Sequence, residues 1–213
     1  MKISIIYDNQ AWAPDLKADW GFACLVEPGD GSRLLFDTGA KGAILLDNMA
    51  RMGIDPRTIA SVFISHSHWD HLGGLPAVLE HNHQAGVYLP ASCPIPAEAE
   101  WVLSIEGPGH LTERLMSTGE LNGGEQSLVV DTGKGLAVIC GCAHPGVAAI
   151  LKAAARFGRV TALIGGLHGF DDYDLLQDLS LICPCHCTQH LAEIEKRFPD
   201  TFVPGGAGKI LEV

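Results

Sequence analysis

Basic residues are scarce in this sequence. Fourteen Lys and Arg stand against 25 Asp and Glu over 213 residues, for a formal net charge of −11. A nucleic-acid backbone or an anionic membrane needs a basic face, so neither is expected as the main partner. Long apolar runs are also missing, which excludes a helical membrane span. The start, "MKISIIYDNQ", soon turns acidic and polar, and reads as a first strand rather than a secretory leader. A paired-cysteine framework is missing too, since seven cysteines are an odd number. No linker or low-complexity tract divides the chain, which predicts one domain over residues 1–213. An apolar fraction of 47% is ample for a buried core. The expectation is a cytoplasmic protein with a small-molecule substrate, homo-oligomerisation being left open.

Strands and helices alternate along the chain. Residues 2–7, 21–27, 33–37, 61–65, 86–90, 126–132, 135–143, 160–166 and the terminal "GKILEV" read as strands. Helical spacing marks 43–53, 74–81, 145–158 and 188–198, with a short helix near 174–181. Residues 91–120 are punctuated by Pro94, Pro96, Pro108 and glycines, and read as a loop-rich excursion, a lid or an interface. Helices between buried strands predict an α/β layered fold. "LLFDTGAKG" and "LVVDTGKG" form a weak internal echo that would suit two similar halves with a site between them.

The chemistry concentrates in "SHSHWDHLGGL", residues 65–75, directly after the apolar run "SVFI". His66 and His68 are two apart, so in an extended segment both imidazoles face one side and can grip one cation. Asp70 and His71 follow where the chain turns toward a helix, and can serve a neighbouring position. Imidazole nitrogen with carboxylate oxygen suits zinc, iron or manganese rather than calcium or magnesium. The bland alternative is a polar loop that happens to be rich in histidine. Four donors in one loop rarely complete a site. His144, His168 and His186 stand at other strand ends and are the candidates to join, although an isolated histidine is more often structural. His81, His83, His110 and His190 read as surface residues.

"HSHWDH" matches the H-x-H-x-D-H signature of the metallo-β-lactamase superfamily, and the chain is identified as resembling it. "LLFDTG", His144 and His186 fall in that superfamily's usual order. "YDN", "CGCAHPGV", "IGGLHG" and "CHCTQ" resemble a short prokaryotic branch. It is often labelled 7,8-dihydropterin-6-yl-methyl-4-(β-D-ribofuranosyl)aminobenzene 5'-phosphate synthase-like. The resemblance implies a four-layer αββα sandwich with two divalent transition metals at one edge, zinc first, with iron or manganese as alternatives. His66, His68 and His144 would hold one ion; Asp70, His71 and His186 would hold the other. Many members carry a bridging aspartate between the third and last histidines. This chain offers His168 there, with Asp171 and Asp172 close behind. Asp37 looks like the superfamily's early aspartate, expected to hold a ligand imidazole in its tautomer.

These ligands imply a metal-bound hydroxide attacking an ester, lactone, thioester or phosphoester, with Asp70 orienting the nucleophile or carrying its proton. The branch label implies instead a metal-dependent transferase joining a dihydropterin to an aminobenzene riboside phosphate. Its anionic substrate would want a cation such as Lys17, Lys41 or Arg114. The third reading is a metal-binding or redox protein without hydrolase activity. Asp8, Asn9, Trp20 and Trp69 are candidate substrate-wall residues, against turn or buried-aromatic roles. Two decoys remain. The paired Asp-Thr-Gly loops suggest an aspartic-protease dyad, for which the chain is too short. "CPCHC" suggests a structural zinc site, but lacks a C-x-x-C partner.

Overall fold

The computed structural model describes residues 1–213. The first half runs β1 (Lys2–Tyr7), β2 (Ala23–Glu27), β3 (Leu34–Phe36), α1 (Gly42–Arg51), β4 (Ser61–Phe63), α2 (Trp69–Leu72), α3 (Leu75–His81), β5 (Gly86–Pro90) and β6 (Val102–Ile105). The second half runs β7 (Gly109–His110), β8 (Leu115–Ser117), β9 (Leu128–Asp131), β10 (Leu136–Cys140), α4 (Val147–Ala154), β11 (Val160–Gly166), β12 (Leu181–Cys185), α5 (Leu191–Arg197) and β13 (Ile210–Glu212). One sheet has the order β13-β1-β2-β3-β4-β5-β6, the other β12-β11-β10-β9-β8-β7. Each begins as an antiparallel meander and becomes parallel where helices cross over. β3, β4, β5 and β6 pair in parallel, as do β10, β11 and β12. No helix is long and apolar enough to cross a membrane.

Side-chain alternation along the strands separates three apolar layers. Ile3, Ile5, Phe36 and Phe63 face Leu128, Val130, Ile139 and Ile164 between the sheets. From the same strands, Ile6, Leu35, Val62 and Ile64 point the other way, onto Leu45 and Met49 of α1 and Val78 and Leu79 of α3. In the second sheet, Val129, Val138 and Leu163 meet Val147 and Ile150 of α4 and Ile194 of α5. Strands covered on both faces must be apolar at every position, and for that reason "SVFI" and "LAVIC" read as continuous runs. The result is the expected αββα sandwich.

Three expectations need correction. Residues 91–120 contain β6, β7 and β8, strands of two to four residues held by edge pairing. They are too short to show a period. Near 174–181 only a 3-10 turn forms, Tyr173–Leu176, and the chain then enters β12. That strand is the one expected to end at His186, its extent obscured by Pro184. The proline is tolerated because β12 lies at the sheet edge, where a missing N–H leaves no neighbouring strand unpaired. The Asp-Thr-Gly echo also joins places that are not equivalent. Asp37 ends β3, is buried, and leads to a crossover helix. Asp131 ends β9 in an exposed hairpin and accepts from the Gly133 amide at 2.8 Å. The topological counterpart of β3 is β10, since each starts the parallel part of its sheet.

Phe36 stacks on Phe63 at 5.5 Å and meets Phe22 edge-on at 6.1 Å in the inter-sheet layer. Phe36→Ala should therefore cost about 3–5 kcal/mol in equilibrium urea unfolding. An effect below about 1 kcal/mol would mean that the sheets are not packed through this ring.

Candidate metal centre

Four non-glycine residues have positive φ: Asp37 at 52°, Ala143 at 56°, His168 at 51° and His186 at 48°. Each lies just beyond a strand, after β3, β10, β11 and β12 respectively. L-residues pay roughly 1–2 kcal/mol for this conformation. Its recurrence at one edge marks a place where strand ends turn sharply inward. β4 contributes Ser65 and His66 to the same edge. Gly141, after β10, allows the second sheet's backbone to press against the first, because a Cβ there would collide with the Ser65 hydroxyl. Gln126 ties the sheets together as well, its N–H donating to the Ser65 carbonyl and its Nε2 to the Ile64 carbonyl, both at 2.9 Å.

Six of the predicted donors converge there in two sets. The rings of His66, His68 and His144 form a triangle with centroids 4.5–4.8 Å apart. Asp70, His71 and His186 form the second set. Asp70 Oδ2 lies 3.3 Å from His186 Nε2 and 3.8 Å from His71 Nε2. Within each set all ligand atoms lie within 4.8 Å of one another. The sets adjoin, with His66 and His71 rings 4.2 Å apart. α2 places Asp70 and His71 in its single turn, immediately after His68 at its N-cap. His168 stands at the rim, grouped with His144 and Cys142.

Each buried imidazole is held at Nδ1 so that Nε2 faces the centre. His71 Nδ1 pairs with Asp37 Oδ2 at 2.7 Å, and Asp37 also accepts the Ser65 amide and hydroxyl at 2.7 Å each. That hydroxyl meets His66 Nδ1 at 2.8 Å. His144 Nδ1 meets Glu125 Oε2 at 2.8 Å, and the same carboxylate accepts the amides of Cys142, Ala143 and His144. His186 Nδ1 meets Asn9 Oδ1 at 2.9 Å, while Asn9 Nδ2 donates to the His186 carbonyl. The hydrogen bonds thus assign the Nδ1–H tautomer throughout. They leave His66 Nε2 and His186 Nε2 buried with no hydrogen-bond partner. Unpaired buried nitrogens are costly unless something accepts their lone pairs. A transition-metal ion does so, and the nitrogen, carboxylate and thiol donors present fit one.

The electrostatics agree. Burial, reinforced by neighbouring imidazoles, pushes His66 and His71 down to about 3, so both are neutral ligands at physiological pH. Burial raises Asp37 to about 7. Burial would raise Glu125 as well, but hydrogen bonds from His144 and the backbone outweigh it and hold the carboxyl at about 2. Asp70 likewise stays below the usual range despite burial, through His186 and His71.

The other predicted residues have different places. Asp8 is buried and accepts the amides of Gln10 and His186. With Asn9 it lines a cleft of about 200 Å³ behind His186, so both residues brace a strand end. Trp20 donates from Nε1 to Asp70 Oδ2 at 2.8 Å and packs edge-on against His186. Trp69 is 63% exposed and borders an apolar groove of about 380 Å³ with Leu72, Pro94, Ile95 and Pro96. Asp171 and Asp172 are exposed and join no cluster. Sequence reasoning missed Ser65 and Glu125. Ser65 could have been found as the residue preceding the first ligand. Glu125 carries no local signal, because its partner is 19 residues away.

The profile of the metallo-beta-lactamase superfamily matches residues 21–134, more than half of the sequence. The chain belongs to the metallo-beta-lactamase superfamily. A relative from Methanocaldococcus jannaschii, named 7,8-dihydropterin-6-methyl-4-(beta-D-ribofuranosyl)-aminobenzene-5'-phosphate synthase, is 26% identical over 97% of this chain and 92% of its own length. The solved structure of Tm1679, described as a metal-dependent hydrolase of the beta-lactamase superfamily, is 27% identical with a TM-score of 0.80, covering 100% of this chain and 99% of that one. The metallo-beta-lactamase fold protein YhfI from Bacillus subtilis has a TM-score of 0.72 at 13% identity, covering 100% and 99% of the two chains, which supports the fold alone.

The bracing of His186 is testable without any metal. Long-range ¹H–¹⁵N spectra of metal-free protein should show His71 and His186 as Nδ1–H tautomers. Asn9→Ala should release His186 alone to the Nε2–H form. An unchanged His186 would show that Asn9 does not hold it.

Proposed function

We propose that this protein is a dinuclear metal-dependent hydrolase acting on a small-molecule ester, lactone, thioester or phosphoester. The observation that carries the reading is the pair of adjacent three-donor sets with inward, unpartnered Nε2 atoms. His66, His68 and His144 would hold one ion, and Asp70, His71 and His186 the other. Zinc suits these donors first, and iron or manganese would also fit. Bound there, two such ions supply an ionised water near neutral pH and polarise a substrate oxygen.

The chain's own residues do the rest. Asp37, Ser65, Glu125 and Asn9 fix the imidazoles of His71, His66, His144 and His186, so these four ligands need not reorient during turnover. Asp70 orients the attacking water, and its Oδ1, which Trp20 leaves free, is placed to take a proton. The apolar groove beside Trp69 would receive a non-reacting part of the substrate and exclude water from it. The full-length similarity to a protein described as a metal-dependent hydrolase supports the same reading.

The second reading is a synthase that uses these metals as Lewis acids, favoured by the name of the Methanocaldococcus relative. A phosphorylated riboside would call for a cationic side chain. Lys17 and Lys41 are paired with Asp47 and Asp19, and Arg114 donates to the Pro28 carbonyl. None is bonded to a residue of the centre, and hydrolysis is therefore preferred.

Purified protein should contain two metal equivalents by elemental analysis and hydrolyse at least one of these substrate classes. Chelation should abolish turnover. His144→Ala should lose metal and reduce kcat/KM at least 100-fold. His81→Ala should change neither, because His81 is exposed and bonded to its own helix at the Ala77 carbonyl. Bound pterin or riboside phosphate without hydrolysis would support the synthase instead, and identical behaviour of the two variants would sink the ligand assignment.

Trp20→Phe removes a hydrogen bond to a carboxylate, worth about 1.5–3 kcal/mol. It should lower kcat roughly 10-fold or more at unchanged metal content. An unaltered kcat would show that Asp70 does not depend on it.

A further inference from the structure

We propose that Cys142 is a seventh metal donor, its thiolate standing between the two ligand sets. The inference rests on the metal-centre reading above. Cys142 is 3% exposed, and its sulfur lies 3.2 Å from His71 Nε2. The sulfur also lies within 4.8 Å of ring nitrogens of His66, His144, His168 and His186. It therefore borders both sets, and belongs to three of the five donor groups in the molecule, more than any other side chain.

The ordinary explanation is a hydrogen bond from the thiol to His71 Nε2. That hydrogen bond fits metal-free protein, in which the Nε2 of the Nδ1–H tautomer accepts from the thiol. Asp37 holds His71 at Nδ1, so Nε2 is the atom the second set presents to a cation. An ion there takes the lone pair the thiol would use. The sulfur then stands beside the ion, within reach of a bond to it. So placed, the sulfur can bind the ion directly, the metal replacing the thiol proton, which passes to solvent. The separation also fits two donors on one ion. Zinc bonds of about 2.0–2.1 Å to nitrogen and 2.3 Å to sulfur, opened between a right angle and the tetrahedral angle, put the donors about 3.1–3.5 Å apart.

The buried Nε2 atoms of His66 and His186 have no hydrogen-bond partner, and the Cys142 sulfur lies within 4.8 Å of a ring nitrogen of each residue. The position is otherwise unclaimed. The superfamily's bridging aspartate has no structural counterpart here, since Asp171 and Asp172 are exposed and outside every donor group. His168 reaches Cys142 and His144 only from the rim. The backbone fixes the thiol where it stands, because the Cys142 amide donates to Glu125 at 2.9 Å, alongside those of Ala143 and His144. Cys187, within 4.8 Å of Cys142 and His186, is the control thiol.

Cobalt(II) titration of the metal-free full-length protein tests this. Wild type should develop visible d–d bands and an intense near-ultraviolet sulfur-to-cobalt charge-transfer band that saturates with them. Cys142→Ser should lose the charge-transfer band and keep the d–d bands, whereas Cys187→Ser should keep both. Because Cys142→Ser could disturb folding, X-ray absorption of the wild-type zinc protein gives a check without mutation. It should show a sulfur scatterer at about 2.3 Å. Cobalt bound with d–d bands but no charge transfer, or a zinc shell of nitrogen and oxygen alone, would overturn the thiolate while leaving the metal centre intact. A band lost in Cys187→Ser and kept in Cys142→Ser would overturn it too. Failure to bind cobalt at all would overturn both readings.

Discussion

The centre depends on one constraint: a buried imidazole can turn Nε2 toward a shared point only if something else takes its Nδ1–H. Four histidines meet that condition by four routes, through Asp37, the Ser65 hydroxyl, Glu125 and Asn9. The routes are coupled. Asp37 orders His71 directly and His66 through Ser65, so one carboxylate governs an imidazole in each set. Glu125 ties His144 to the backbone turn that carries it, fixing ring and main chain together. These bracing groups come from both sheets. Ligand geometry is therefore a property of the whole sandwich rather than of the histidine-rich loop.

The sandwich in turn explains why the braces are within reach. Side-chain alternation sends Phe36, Phe63 and Ile139 into the layer between the sheets. The packing there sets how closely the ends of β3, β4 and β10 approach. The positive-φ residues then turn the chain just past β3, β10, β11 and β12. The strain is tolerated because the same turns satisfy buried polar groups. Asp37 accepts three hydrogen bonds, and the turn at Ala143 delivers three amides to Glu125.

Much of this was legible in the sequence, for identifiable reasons. Doubly covered strands must be apolar throughout, so "SVFI" and "LAVIC" stood out as strands. His66 and His68 share a face through simple two-residue spacing. His144 and His186 were recognisable as histidines that end strands. The rest depends on tertiary contacts that leave no local trace. Glu125 looks like any loop carboxylate, and Asn9 like a turn residue, until His144 and His186 arrive from elsewhere in the chain. β12 was legible only as the strand end before His186, its extent obscured by Pro184, which its edge position permits. The Asp-Thr-Gly echo misled because turn chemistry recurs wherever a strand ends. The same tripeptide serves a buried brace at Asp37 and a surface hairpin at Asp131.

Charge gives the last step. Asp37 and Glu125 are buried, and Asp70 nearly so, yet no Lys or Arg donates to any of them. Burying carboxylates in that manner is expensive unless positive charge stands close by. Burial raises Asp37 to about 7, the direction expected of a carboxyl with no Lys or Arg beside it. His66 and His71 cannot make up the deficit, since burial keeps them neutral, while the hydrogen bond to Glu125 raises His144. The centre is thus a carboxylate-rich cup in which His66 and His71 are neutral nitrogen donors, an arrangement that divalent cations complement and that a phosphate or carboxylate alone would not. A scarcity of basic residues, visible first in the overall composition, has its structural counterpart in this cup.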